Sequence, residues 1–310
     1  AAYANDAQAA YGQAHQTLQQ LTGTTGSTFA AFARSGTTAT DRFADYATNK
    51  AAFARRMTYG FGALDATGAP PVVPKGAEIL LQTRFPYLGA DQRRVVLKTT
   101  ELPSGYPVMD DAEGWGRLNL FAAADGYGAF NGNVIVAMDA SKGGLNAADL
   151  WRNDITGTGK LTLQGSGALT LAGNNSYTGG TQVSGGTLAA ASATAFGNGD
   201  VYVGAGGGIR IAAGAPVTIA TRYTQLDNTT LELDIDGNGG GRLRVGGAFT
   251  VAGGTLHVKF VNGYAPKAGD TIALIDAAAG AAKFATVTVD GFKATPVYTA
   301  TGVSIVLSAA

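Results

Sequence analysis

The chain has 310 residues, enough to bury a sizeable core or to hold two domains. Its 22 basic residues balance 22 acidic ones and only 14% of residues are charged, which argues against the one-sided basic face of a nucleic-acid binder. Cysteine is absent, which excludes disulfides, zinc–thiolate sites and thiol nucleophiles together, and no run reaches the roughly 18 apolar residues of a membrane-spanning helix.

Residues 1–60 read as helical. Tyr3, Ala7, Ala10, Tyr11, Ala14, Leu18 and Leu21 form one apolar stripe, with no signal-peptide pattern ahead of it. Gly23 to Thr28 breaks that stripe, and a second helix is expected from Thr40 or Asp41 to Met57. A Pro/Gly-rich linker follows from Gly60 to Gly76. Ala77 to Gln82 suits a short helix or a strand. Asp91 to Thr100 predicts a helix with Val95, Val96 and Leu97 inward, and Leu118 to Ala124 one more short helix. Trp115 is the expected core anchor of this layer. Residues 1–130 are therefore read as a helical and irregular N-terminal cap region.

From Asn133 to Met138 onward the pattern becomes all strand. Short alternating runs recur at Leu161–Leu163, Leu169–Leu171, Thr181–Val183, Thr187–Ala189, Val201–Val203, Ile209–Ile211 and Val217–Ile219. Further runs are Leu231–Ile235, Leu243–Val245, Phe249–Val251, Thr255–Phe260, Thr271–Ile275, Thr286–Val289 and Val303–Leu307. Gly, Asn or Ser punctuates them, and 46 glycines are about twice the usual share. Strands this short suit the rungs of a solenoid, each pairing with the strand one turn above and below. The pattern thus predicts a mainly β fold, with residues 131–310 forming a Gly-rich, right-handed β-solenoid (β-helix) of about five to seven turns.

Gly173-Asn174-Asn175-Ser176-Tyr177-Thr178-Gly179-Gly180-Thr181, with Val183 and Gly185-Gly186-Thr187-Leu188, resembles the autotransporter-associated β-strand repeat. That repeat marks the β-helical passenger regions of secreted and surface proteins of Gram-negative bacteria, so the resemblance implies a secreted or cell-surface location. Gly179, Gly180, Gly185 and Gly186, with the second Gly-Gly-Thr-Leu copy at Gly253 and Gly254, are the expected corners of the repeat.

The first 150 residues carry a second resemblance. Phe43 onward, through Val72-Val73-Pro74-Lys75-Gly76 to Gly114-Trp115-Gly116-Arg117-Leu118-Asn119-Leu120, is similar to the region that follows the catalytic domain of secreted type-2 acid phosphatases. The family's chemistry needs a Lys, an Arg-Pro pair, a Pro-Ser-Gly-His and a nucleophilic His. Here Lys75 is followed by Arg84-Phe85-Pro86, and Pro103-Ser104-Gly105-Tyr106 has Tyr where the acid belongs. The chain has only His15 and His257, so no phospho-enzyme forms by that route.

Asp234, Asp236 and Asn238, followed by glycines, begin as a calcium loop begins, although Val245 stands where a bidentate Glu belongs. A β-turn whose Asx side chains bond their own backbone accounts for the same residues. Glu232 and Asp234 share a strand face and mimic a glycosidase pair. His257 and Lys259 share another, read as an outward polar face with no acidic cluster nearby. Calcium is thus the one cofactor considered, and no catalytic residue is assigned. The C-terminal edge is expected to be covered by a loop, by further chain or by another subunit.

The functional expectation is a non-catalytic extracellular stalk, scaffold or adhesive component, self-associating through solenoid ends into filaments. The alternative is the non-catalytic tail of a secreted acid phosphatase.

Overall fold

The computed structural model describes residues 75–101, 119–204, 206–214, 216–279 and 283–310. The helices expected within residues 1–60, Trp115 and the Pro103–Tyr106 segment lie outside them. The chain divides into two compact units between Ala124 and Asp125.

The first unit holds α1 (Lys75–Arg84), α2 (Ala90–Thr99) and α3 (Leu120–Ala124). The segment left open between helix and strand is helix α1, which begins before Ala77 and stops ahead of Pro86, a residue that cannot continue a helix. Ala77, Leu81, Phe85, Leu88, Val96, Leu97 and Ala123 are buried. Val95 is not: it is 38% exposed, because three consecutive helical residues span about 200° and cannot share one face. Arg93 is buried instead. Its Nε and Nη2 donate to Glu78 Oε1 at 3.1 and 2.6 Å, and its Nη1 donates to the Leu88 carbonyl, so it ties α2 to α1.

The second unit is a ladder of short parallel strands in three columns. The first column stacks β2 (Val134–Met138), β5 (Leu161–Gly165), β7 (Thr181–Val183), β9 (Val201–Val203), β12 (Tyr223–Gln225) and the second half of β14 (Leu243–Val251). The second column stacks β3 (Ala148–Trp151), β6 (Ala168–Leu171), β8 (Thr187–Ala190), β10 (Gly208–Ile211), β13 (Thr230–Ile235), β15 (Thr255–Phe260) and β17 (Thr286–Val289).

The third column begins with β1 (Ala129–Phe130) on β4 (Thr156–Gly157) and ends with β11 (Val217–Ile219) on the first half of β14, then β16 (Thr271–Ala279). Between them backbone bonds from Ser176 to Ile155 and from Asn198 to Tyr177, both 2.8 Å, carry it onward. Each strand therefore pairs with the one a full turn away, which is a β-solenoid.

Alternation explains which side chains face in. In β9, Val201 and Val203 are buried while Tyr202 is exposed. The interior is a stack of such residues, Leu169, Leu188, Ile209, Leu231 and Leu256 occupying successive rungs of the second column, all buried. Aromatic rings fill one end of the core: Tyr127 packs on Trp151 at 5.3 Å and on Phe130 at 5.4 Å, and Phe130 on Tyr177 at 4.9 Å. Burial pushes the phenols of Tyr127, Tyr177 and Tyr223 well above their usual range, because a phenolate has no water to solvate it there.

Regularity varies along the ladder. Leu161 lies beside Thr181 and Thr181 beside Val201. The same step of 20 residues separates buried Asn175 from Ile155, whose amide it accepts at 2.8 Å, and from Ala195, to whose carbonyl it donates at 2.6 Å. One side chain thus bridges three successive turns. Later turns are longer, with Tyr223 beside Phe249 and Thr255 beside Thr286.

The C-terminal edge has its own cover. β18 (Phe292–Thr299) and β19 (Gly302–Ala309) form an antiparallel hairpin, and β19 also runs antiparallel along β16, pairing Thr271 with Val306. A hairpin of this same chain therefore occupies the edge that was expected to need a loop, further chain or a partner. β18 contains Pro296, which masks its strand character in the sequence and fits an edge strand because proline donates no hydrogen bond.

Candidate functional site

The repeat corners come first, because they set the rung spacing. Gly179 and Gly180 precede β7 in the first column, Gly185 and Gly186 precede β8 in the second, and Gly253 and Gly254 precede β15. Pairing runs from Thr187 through Gly208 and Thr230 to Thr255, so the two Gly-Gly-Thr-Leu copies stand at the same corner three turns apart. Gly186 and Gly254 have φ of 66° and 73°, left-handed backbone that L side chains rarely adopt. A Cβ on Gly254 would lie 2.7 Å from the Thr229 carbonyl oxygen, and one on Gly186 would run into the Gly167 carbonyl. The glycines let adjacent turns approach at backbone distance.

The second feature is a charged ladder on the outward face of the second column. Register aligns Arg210, Glu232 and His257 on β10, β13 and β15, and places Asp234 beside Lys259. Arg210 Nε lies 3.1 Å from Glu232 Oε1, and its Nη2 donates to Asp234 Oδ2 at 2.6 Å. The Asp234 hydrogen bond raises the Arg210 pKa further. Lys259 Nζ reaches Glu232 Oε2 at 2.9 Å. His257 Nδ1 is 3.3 Å from Glu232 Oε2, and its Nε2 is 2.9 Å from Oδ1 of Asp290, just past β17.

Sequence reading placed His257 on a face without acidic neighbours. Glu232 and Asp290 correct that, and Asp290 and Arg210 were not singled out at all. Opposite charges one turn apart were the available signal, but turns of unequal length conceal the spacing. Glu232 and Asp234, the mimic of a glycosidase pair, both sit on Arg210, so ion pairing accounts for their shared face. What this arrangement does chemically is clamp rungs together.

The calcium candidates have separate partners. Asp234 is buried, with one oxygen on Arg210 and Oδ1 without a hydrogen-bond partner. Asp236 Oδ1 accepts from the Asn238 and Gly240 amides at 2.9 and 3.0 Å, the geometry of an Asx turn. Asn238 lies in that turn, and Val245, at the position for a bidentate ligand, is buried in the core. Among the described residues no group of three or more His, Asp or Glu side chains converges as a metal-ligand set would.

Of the phosphatase echoes, Lys75 opens α1, and Arg84 donates from Nε to the Ala124 carbonyl at 2.8 Å while lying 4.4 Å from the Phe85 ring centroid. Both contacts are structural.

Comparison with known proteins points the same way as the ladder. Residues 161–190 match the family model of the passenger-associated-transport-repeat. The chain is 36% identical over 118 residues to the Neisserial autotransporter lipoprotein NalP of Neisseria meningitidis serogroup B, covering 38% of this chain and 11% of the relative. It is 32% identical over 174 residues to an extracellular serine protease of Serratia marcescens, covering 46% of this chain and 16% of the relative. The chain thus spans a small part of either relative, and the family match falls on a repeat rather than a catalytic domain. It carries an autotransporter passenger repeat and is of the secreted or surface-exposed passenger type found in Gram-negative bacteria.

Proposed function

We propose that this chain is a non-catalytic structural portion of an extracellular passenger, a β-solenoid stalk or scaffold, with residues 1–130 serving as its N-terminal cap. The observation that carries the reading is the parallel ladder, continuous from β2 to β17, with carboxylates and cations of its outward face spent on one another. A surface built this way displays length and rigidity rather than a reactive group. Head-to-tail filaments would have to add to β18, the outer strand of the closing hairpin. Pro296 interrupts its donors and Lys293 charges it, both of which discourage strand addition, so the unit acts singly.

Electron microscopy and light scattering over a concentration range, with the same samples assayed on peptide and phosphoester substrates, test the proposal. Isolated particles without turnover are expected. Regular fibres would overturn the single-unit reading, and hydrolysis by the purified chain would overturn the non-catalytic one.

A further inference from the structure

We propose that His257 is a proton-controlled clip across the last parallel rungs of the second column, fastened when its ring is protonated and loosened when it is neutral. The ring bridges two carboxylates, Glu232 on β13 through Nδ1 at 3.3 Å and Asp290 beyond β17 through Nε2 at 2.9 Å. An ionised carboxylate only accepts, and a neutral imidazole has one N–H to give. Only the imidazolium satisfies both sides at once. With a neutral ring, one nitrogen lone pair faces a carboxylate oxygen.

Charge balance favours the same state. The groups around the ring are Arg210 on β10, Glu232 and Asp234 on β13, Lys259 on β15 itself, and Asp290 after β17. Two cations face three carboxylates, and a protonated His257 completes the match. Lys259 already holds Glu232 Oε2 at 2.9 Å, so the contact that most depends on the ring is the one to Asp290. Asp290 is 61% exposed and has no other salt-bridge partner among the described residues, so its hold on the hairpin approach passes through His257.

The sign follows. The folded arrangement binds the proton that the unfolded chain binds less well, so the clip contributes on the acid side of histidine's ordinary range and is lost as pH rises. The backbone between His257 and Asp290 includes the β15–β17 pairing of Leu256 with Val287 and Val258 with Val289, which is what the clip secures.

Amide hydrogen exchange of the whole chain at about pH 5.5 and about pH 8, either side of the ordinary histidine value, tests this after correction for intrinsic rates. Protection of the Val287–Val289 amides should be about three- to tenfold higher at the acid pH, a modest factor because Asp290 is exposed. His257→Gln and Asp290→Asn should each abolish the difference while leaving protection of Leu161–Leu163 unchanged. The same acid–alkaline ratio in wild type and both variants would overturn the proposal. So would loss of the ratio at Leu161–Leu163 as well, which would mean a global rather than a local effect.

Discussion

The turns built on β5, β7 and β9 and those built on β10, β13, β15 and β17 solve one problem in two ways. In the first set the step is constant, backbone meets backbone at glycine corners, and a buried Asn175 links three turns. In the second set the connections lengthen and the outward face carries alternating charge from Arg210 to Asp290. A constant step keeps side chains out of the corner, so the neighbour a turn away dictates which residue is allowed. Longer connections relax that demand, and side-chain pairing takes over the work of alignment. The matched repeat, 161–190, lies wholly in the first set, which is why it is recognisable in sequence.

Alkaline conditions should strain both sets most. Tyr127, Tyr177 and Tyr223 are buried and kept protonated by the fold, whereas the unfolded chain gives up those protons from about pH 10. Stability is therefore full below that value and falls as pH rises, by up to about 4 kcal/mol per pH unit for three phenols. Denaturant unfolding followed by circular dichroism between about pH 9 and about pH 11 measures it, and Tyr177→Phe should remove about a third of the slope. Gly186→Val comes next, at about 3 kcal/mol, because a positive φ and the Gly167 carbonyl both oppose a side chain. The same substitution at Gly132, where a Cβ meets nothing within 4 Å, should stay within about 0.5 kcal/mol. Equal losses at the two positions would show that corner spacing does not govern the early turns.

The sequence makes the two sets unequally legible. Alternation in Val201–Val203, Ile209–Ile211 and Thr255–Phe260 reads directly as strand, and the two Gly-Gly-Thr-Leu copies mark one corner because the Cβ exclusion recurs each turn. Strands β3 and β12 escape notice, being short runs such as Tyr223–Gln225 without apolar alternation. Strand β18 escapes because Pro296 argues against any strand that must donate on both sides. β14 reads as two strands and is one, bent where its register shifts between Val245 and Phe249 as it crosses from one column to the next. The charged ladder is invisible because its members are 22 to 33 residues apart on turns of unequal length: Arg210 must be aligned with Glu232, and His257 with Asp290, before any of them looks paired.

Smaller substitutions sharpen the contrast between buried and exposed clamps. Asn175→Ala leaves the Ile155 amide and the Ala195 carbonyl without partners inside the solenoid and should cost about 2–3 kcal/mol in denaturant unfolding, independent of salt. Arg210→Met removes a clamp whose own side chain is 46% exposed, so about 1 kcal/mol is expected, shrinking as salt is added. Should the arginine variant prove the costlier, charge rather than backbone approach would be what holds the ladder together. Asp236→Ala, smallest of these, deletes the acceptor for the Asn238 and Gly240 amides and should cost about 0.5–1 kcal/mol. Its cost separates a turn from a calcium site, since a turn loses the same amount in chelator and in millimolar calcium. A calcium loop would instead stabilise the wild type alone when the ion is added, because mass action favours only the state that binds it.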